Sequence, residues 1–260
     1  MAEGPYFLET PYGRVAYQKK GTGPVNIIGL HGFGQDHRLF LPATRHIDLA
    51  AYTCYWVDLP FHGFTRWNSN RFTLGQLRAI LQMLGRGRPY EGVGHSLGGR
   101  LWIHLLPALG RAPRRLHLLA PDGFGNPWSW LIEGTPRPLR KKAGQLLESP
   151  QRFLKMAEWL HQVGLINRFA LRYLQTQLAT PFARQRLFCT WNSLSGMPMN
   201  PAAARQTLKR ARLPVAITLG SEDIIVPNSR VEAAVRGLTS VEVRHLPCGH
   251  WGLARQWKLW

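Results

Sequence analysis

Short apolar runs alternate along the chain with segments of helical periodicity. The apolar runs are rich in β-branched and aliphatic residues, which is typical of strands that are buried on both faces. They predict strands at Val25–His31, Cys54–Asp58, Tyr90–His95, Arg115–Ala120, Val215–Gly220 and Val241–Leu246. Apolar residues at helical spacing predict helices at Thr73–Leu84, Leu97–Leu109 and Ser229–Arg236. Strands alternating with helices predict an α/β fold, with a mostly parallel twisted sheet and helices on both of its faces.

The alternation is interrupted at two places. Tyr6–Glu9 and Val15–Lys19 predict an N-terminal hairpin that turns at Tyr12–Gly13. Residues 125–212 are too many for one crossover, and they predict several helices. Their apolar positions at helical spacing are Phe153, Met156, Trp159, Leu160, Val163, Ile166, Phe169, Tyr173 and Leu174. We therefore expect a core domain formed by residues 1–124 and 213–260, with a helical lid formed by residues 125–212 inserted into it.

Composition supports a globular chain. Hydrophobic residues make up 45% of the 260 residues and charged residues 18%, which excludes a disordered or fibrous protein. No apolar run approaches the ~20 residues that a membrane span needs. The N-terminus lacks the basic and apolar regions of a secretory signal, and the three cysteines match no zinc motif. These features predict a cytoplasmic protein in a reducing compartment.

A serine nucleophile is predicted at Ser96. Gly94, His95, Ser96, Leu97 and Gly98 form a GxSxG motif directly after a predicted strand and directly before a predicted helix. This context is the one that a nucleophile elbow requires, because the strained turn exposes the serine hydroxyl and needs small residues on either side. A serine hydroxyl is a poor nucleophile until a base removes its proton.

The base and its supporting acid are predicted from the loops that follow the last strands. Of the ten histidines, His250 lies just past the final strand among glycines, and we expect it to be the base. Asp223 follows the preceding strand and gives the chain order Ser, Asp, His that is typical of such sites. Asp122 also follows a strand and is the rival acid, while Glu222 would need a shifted loop. Asp58 is expected to brace its own loop.

Acyl transfer also needs hydrogen-bond donors aimed at the developing oxyanion. The backbone N–H of Leu97, directly after the nucleophile, is one expected donor. The second is expected from the loop His31-Gly32-Phe33-Gly34, where Phe33 is best placed to present its N–H. The ring of Phe33 would then line the acyl side of the pocket. The alternative is that this segment is an ordinary glycine-rich turn.

Taken in order, five motifs resemble the α/β-hydrolase superfamily over essentially the whole chain. They are HGFG at 31–34, DLPFHG at 58–63, GHSLGG at 94–99, GSEDIIVP at 220–227 and CGHWG at 248–252. The resemblance implies a Ser96–Asp223–His250 triad, oxyanion donors at Phe33 and Leu97, an inserted lid, and no cofactor or metal. A serine at the elbow argues against the haloalkane-dehalogenase and epoxide-hydrolase branches, which use aspartate there.

The expected function is therefore a serine hydrolase that cleaves carboxylic esters. Two other classes use a similar scaffold. One is a cofactor-free lyase or hydrolase acting on C–C bonds, and the other is a binding protein that retains the triad. The lid's aromatic residues are consistent with an apolar pocket for a small-molecule ester, and we expect Trp128, Trp130, Trp159 and Trp191 to line it.

Charge is concentrated in the predicted lid. The whole chain has a formal net charge of +19, and residues 126–212 contain fourteen basic and three acidic residues. In this respect the lid is similar to that of the pimeloyl-carrier-protein methyl esterases of biotin synthesis. The similarity implies an acidic acyl carrier protein as partner, contacted by Arg137 and Arg140 together with Lys141 and Lys142. The alternative is a generally arginine-rich surface. No motif for nucleic-acid recognition accompanies the charge.

Overall fold

One twisted sheet organises the described part of the chain. The computed structural model describes residues 4–124, 135–136, 138–140, 142, 144 and 150–259, without the side chains of Phe169 and Ala170. In these residues the sheet has nine strands. They are β1 (Tyr6–Thr10), β2 (Gly13–Lys20), β3 (Val25–Leu30), β4 (Tyr52–Val57), β5 (Arg66–Trp67), β6 (Tyr90–His95), β7 (Leu116–Leu119), β8 (Val215–Gly220) and β9 (Val241–Leu246).

The sheet is mostly parallel, as the sequence predicts. Its order is β1-β2-β4-β3-β6-β7-β8-β9, with the short β5 paired to β2. β2 pairs with its neighbours in antiparallel fashion, and every pair from β4 to β9 is parallel. The central strands β3, β6, β7 and β8 are almost entirely buried because helices cover both faces.

Eight α-helices are described over their whole length. They are α1 (Leu74–Gly85), α2 (Leu97–Leu105), α3 (Pro150–Gln162), α4 (Arg168–Leu178), α5 (Pro181–Leu194), α6 (Pro201–Ala211), α7 (Asn228–Val235) and α8 (Leu253–Gln256). Local sequence explains where several begin. Thr73 and Gln76 form a capping box at the start of α1, and Thr180 and Asn200 cap α5 and α6 with their side chains.

Several predicted ends of strands and helices shift by one or two residues, and two further differences concern a turn and a helix end. The N-terminal hairpin pairs Thr10 with Gly13, so its turn lies at Pro11–Tyr12, one residue before the predicted Tyr12–Gly13. The helix predicted over Leu97–Leu109 ends at Leu105 and continues as a short 3-10 turn over Leu106–Ala108. Pro107 explains this end, since proline cannot donate the backbone hydrogen bond that a continuing helix requires.

Helices α3 to α6 form the described part of the chain between β7 and β8, where a helical insertion is expected. Burial along α3 differs from the expected pattern. Met156, Trp159 and Val163 are 50%, 57% and 49% exposed, and of the residues in α3 only Ala157 is buried. The helical spacing was predicted, but the apolar face of α3 is not packed as a core.

Two further observations concern the whole described chain. Cys54, Cys189 and Cys248 are buried thiols that form no disulfide. Among the described residues, none of the helices has the length and apolarity needed to cross a bilayer.

Candidate active site

The parallel register brings the predicted site residues to one edge of the sheet. Leu30 at the end of β3 is level with Gly94 of β6, and His95 is level with Leu119 of β7. In the same way Gly220 of β8 is level with Leu246 of β9. Since the carboxyl ends of parallel strands meet at the same edge, the loops that follow them share one crevice.

Ser96 occupies a strained turn between β6 and α2. Its φ is 50° and its ψ is −112°, and its N–H donates to the carbonyl of Leu119 at 2.9 Å. A Cβ atom on Gly98 would lie 1.8 Å from the carbonyl oxygen of Leu30, and one on Gly94 would lie 2.6 Å from the backbone of Gly98. Only glycine permits this approach of helix to strand. The local geometry is that of a nucleophile elbow.

His250 and Asp223 are joined directly. His250 lies in a 3-10 turn after β9, and its Nδ1 is 2.7 Å from Oδ2 of Asp223. Both side chains are buried. Oδ1 of Asp223 accepts the N–H groups of Ile225 at 2.8 Å and Val226 at 3.0 Å. Because the carboxylate accepts at Nδ1, the proton of a neutral His250 ring lies on Nδ1 and Nε2 is left as the basic nitrogen.

Burial and hydrogen bonding oppose each other at Asp223. Burial alone raises the pKa of its carboxyl, but the hydrogen bond and charge of His250, with the two backbone N–H groups, more than offset it. The net result is a lowered pKa, so Asp223 is ionised at neutral pH. An ionised acid is what stabilises a positively charged imidazole during proton transfer.

The rival acid Asp122 has other partners. Its Oδ2 is 3.6 Å from Nη1 of the fully buried Arg100, and its Oδ1 accepts the N–H of Gly123. Its own N–H donates to the carbonyl of Ser96 at 3.1 Å, so it is close to the elbow without bonding to His250. Glu222 is exposed to solvent. The structure thus joins Asp223, rather than either alternative, to His250.

The predicted oxyanion loop lies against Ser96. A Cβ atom on Gly32 would lie 3.2 Å from Cβ of Ser96, so the loop backbone passes beside the serine. Gly34 has a φ of +76°, which lets the chain turn after Phe33. Leu97 is the first residue of α2, where backbone N–H groups have no partner within the helix. Leu97 thus directly follows the serine, and Phe33 directly follows the glycine that lies beside it.

His95 has a role that sequence reasoning missed. Its ring is buried and lies between two loops of the site. Nδ1 lies 2.8 Å from Oε1 of Gln35, which also accepts the N–H of Gly32, and Nε2 lies 2.9 Å from the carbonyl oxygen of His250. Burial, with His250 nearby, lowers the pKa of His95 to about 3. Burial therefore favours the neutral ring of His95, which lies between the loop of Gly32 and that of His250 and can donate its single N–H to only one of these two oxygens at a time.

Asp58 braces its loop, as expected. Oδ1 accepts the N–H of His37 at 2.6 Å and faces Nδ1 of the same residue at 2.9 Å, while Oδ2 accepts the N–H of Phe64. Asp36, His37 and Asp58 are the group of possible metal ligands that the described residues contain. Because the carboxylate of Asp58 is already engaged by these donors, the group fits a structural network rather than a metal centre.

Only some of the predicted substrate-binding residues lie in the part of the chain that the structure describes. Trp128, Trp130 and Arg137 lie outside the described residues, as does Lys141. Trp159 is on the exposed face of α3, which disagrees with its expected place in a pocket. Trp191 is half-buried on α5. Arg140 donates from Nη1 to the carbonyl of Thr135 at 2.9 Å.

A cation from the inserted helices lies over the oxyanion loop instead. Arg186 is on α5, and its guanidinium carbon is 5.5 Å from the centre of the Phe33 ring. Nη2 of Arg186 donates to Oε1 of Gln177 on α4 at 2.9 Å. In the sequence Arg186 is one of fourteen basic residues of the insertion, and nothing in the local pattern relates it to the loop of Phe33, about 150 residues earlier.

Known proteins with a similar sequence or structure share this architecture. The family model for the alpha/beta hydrolase fold matches residues 25–254. A curated relative from Cupriavidus necator, the dihydrolipoyllysine-residue acetyltransferase component of an acetoin cleaving system, is 28% identical over 233 residues. That match covers 87% of this chain and 59% of the relative, so the chain spans about three fifths of the relative's length.

Solved structures with the same fold have much lower sequence identity. A thermophilic esterase from Thermogutta terrifontis, with malate bound, has a TM-score of 0.67 at 15% identity and covers 98% of this chain and 94% of its own. A hydrolase from Pseudomonas aeruginosa PA01 has a TM-score of 0.63 at 18% identity, with 97% and 93% covered. The thioesterase domain from the curacin biosynthetic pathway has a TM-score of 0.66 at 14% identity, with 98% and 96% covered.

Proposed function

The chain belongs to the alpha/beta hydrolase fold family, and from this premise we propose that it is a serine hydrolase that cleaves carboxylic esters. The observation that carries the proposal is the 2.7 Å contact between His250 and the buried carboxylate of Asp223, at the sheet edge where Ser96 occupies the elbow. We also propose the division expected from the sequence, in which residues 1–124 and 213–260 form the catalytic core and residues 125–212 cover it.

The proposed reaction proceeds through an acyl-enzyme. Nε2 of His250 takes the proton of Ser96 Oγ as this oxygen attacks the ester carbonyl carbon. The oxyanion of the tetrahedral intermediate accepts hydrogen bonds from the N–H groups of Phe33 and Leu97. The intermediate collapses, the C–O bond to the alcohol breaks, and His250 gives its proton to the departing alcohol. Water activated by His250 then attacks the acyl-serine and releases the carboxylic acid.

Replacement of the nucleophile tests this proposal. We expect Ser96→Ala to lower kcat/KM on p-nitrophenyl butyrate by ~10³-fold or more, because the residual catalysis would come from the oxyanion donors and binding alone. The same variant should lose labelling by a fluorophosphonate probe. Ser69→Ala, which changes an exposed serine in the loop before α1, is the matched control and should retain both activities. Labelling that persists in Ser96→Ala would show that another residue is the nucleophile.

A second candidate function is favoured by the surface of α3. Its exposed apolar residues Met156 and Trp159 lie beside the exposed cations Arg152 and Lys155. This combination suits a small acidic carrier protein that delivers a bound acyl chain, since opposite charges speed encounter and apolar contacts hold the complex. The candidate substrate is then the methyl ester of an acyl chain attached to an acyl carrier protein.

Charge reversal on α3 distinguishes the two substrates. We expect Arg152→Glu combined with Lys155→Glu to lower kcat/KM on an acyl-carrier-protein methyl ester by tenfold or more at low salt, and to change that on p-nitrophenyl butyrate by less than twofold. The effect on the protein substrate should shrink as ionic strength rises. Arg255→Glu with Lys258→Glu, at exposed positions near α8, is the control of equal charge. Equal effects of both double variants would contradict a docking role for α3.

A further inference from the structure

Arg186 is a partly buried cation without a matching anion. Its Nε is buried and has no hydrogen-bond partner, although its Nη2 donates to Gln177. Among the residues that the structure describes, no carboxylate lies within ion-pair distance of its guanidinium. Burial lowers the pKa of Arg186, but a guanidinium remains charged at any ordinary pH. A charge that is partly removed from water is stabilised by an opposite charge, and none of the described residues supplies one to Arg186.

The guanidinium is held over the loop that flanks the serine. Nη2 of Arg186 lies 3.9 Å from the position that a Cβ atom on Gly34 would take, and the guanidinium carbon is 5.5 Å from the Phe33 ring centre. The anchoring partner Gln177 is itself buried, with 6% of its surface exposed. Arg186 is therefore fixed from α4 and α5 above residues 33–34, one residue beyond the Gly32 that touches Ser96.

We infer that Arg186 binds an anionic group, most simply a carboxylate, on the acyl part of the substrate. The preferred substrates are then acidic esters, meaning esters whose acyl part also has a free carboxylate. This inference rests on the proposed function, because Phe33 is then the residue whose N–H holds the ester carbonyl and whose ring lines the acyl side. Unlike the buried Nε, Nη1 makes no hydrogen bond with the described residues and is not among the buried atoms, so it can donate a charge-assisted hydrogen bond to a carboxylate oxygen.

Ring contacts alone do not account for this arginine. The guanidinium carbon is 5.5 Å from the Phe33 ring and 6.0 Å from the Phe182 ring, close to the outer limit of about 6 Å for a cation–π contact. A bracing role predicts that removing the charge affects neutral and acidic esters equally, which gives a direct test.

The kinetic test compares two esters that differ in one charge. In the wild type we expect mono-p-nitrophenyl glutarate to be cleaved with a higher kcat/KM than p-nitrophenyl pentanoate. Arg186→Gln should lower the ratio of the acidic to the neutral kcat/KM by tenfold or more, and Arg186→Lys should restore part of it. Arg184→Gln is the matched control, because it removes one charge from the same helix at a residue that donates to the carbonyl of Leu178. This control should leave the ratio unchanged.

A binding measurement needs no turnover. We expect glutarate to bind the wild-type protein in calorimetric titration, with a Kd raised tenfold or more by Arg186→Gln and unchanged by Arg184→Gln. If neither ester is cleaved but glutarate binding depends on Arg186, the proposed hydrolysis fails and the anion site stands. If both esters are cleaved and neither the ratio nor the Kd responds to Arg186→Gln, the hydrolase stands and the anion site is overturned.

Discussion

At the scale of single residues, two carboxylates of the site differ in the groups that they contact, and so in their roles. Asp122 and Asp223 both follow strands that end at the same sheet edge, and sequence alone left them as rivals. Asp122 faces the buried guanidinium of Arg100, whose charge it offsets, while Asp223 faces His250 and two backbone N–H groups. The orienting role therefore belongs to Asp223 in the proposed mechanism.

Neutralising Asp223 tests this role. We expect Asp223→Asn to lower kcat on p-nitrophenyl butyrate by about 10⁴-fold, because an amide N–H facing Nδ1 favours the tautomer whose Nε2 carries the proton and cannot act as base. Glu222→Gln changes the adjacent, exposed acid in the same way and should alter kcat by less than twofold. The thermal midpoint of each variant separates lost chemistry from lost folding. The opposite ranking of the two variants would assign the role to Glu222.

At the scale of elements, the strands and the elbow were predictable because they depend on local sequence. A run such as Val25–Leu30 is apolar throughout since both faces are covered, and GxSxG requires glycine where Gly98 approaches the carbonyl of Leu30. Bridges between distant loops carry no such local signal. His95 meets Gln35, 60 residues earlier, and His250, 155 residues later, through contacts that only the assembled sheet creates.

The helices between β7 and β8 illustrate the same limit. Their helical periodicity was readable, but periodicity does not say which face a neighbour covers. Met156, Trp159 and Val163 have helical spacing but are exposed, while Arg186, one of the fourteen basic residues of this segment, is held over Phe33. Whether a stripe is core or surface depends on how whole elements pack against each other, which single-sequence patterns do not encode.

At the scale of the whole molecule, buried histidines surround the candidate site. His31, His62 and His95 are each no more than 1% exposed. The rings of His31 and His62 are 5.1 Å apart, that of His62 meets Phe33 at 5.5 Å, and that of His95 meets His250 at 4.7 Å. Burial lowers the pKa of all three, to about 3 for His95. The fold therefore holds them neutral at a pH where the unfolded chain would protonate them.

This difference predicts acid-sensitive stability. Below about pH 6.5 the unfolded chain binds more protons at these histidines than the folded chain does. Their contribution to the free energy of unfolding is therefore complete above that pH and is lost as the pH is lowered. His104, whose pKa burial lowers to about 4, acts in the same direction, so we expect the thermal midpoint to fall between pH 7.5 and pH 5.5. The carboxylates Asp36 and Asp223, whose pKa values are lowered from an already acidic range, act only at lower pH.

Calorimetric unfolding of a variant with one histidine replaced tests whether the acid sensitivity comes from these buried rings. His62→Gln keeps a donor for the carbonyl of Pro60, which His62 Nδ1 contacts at 2.9 Å, and removes one titrating group. We expect its midpoint to fall by less than the wild-type midpoint does between pH 7.5 and pH 5.5. His46→Gln, at an exposed position, should fall as much as the wild type. A wild-type thermal midpoint that is the same at both pH values would mean that burial does not hold the three rings neutral. The contacts of these histidines around the site would then involve charged rings.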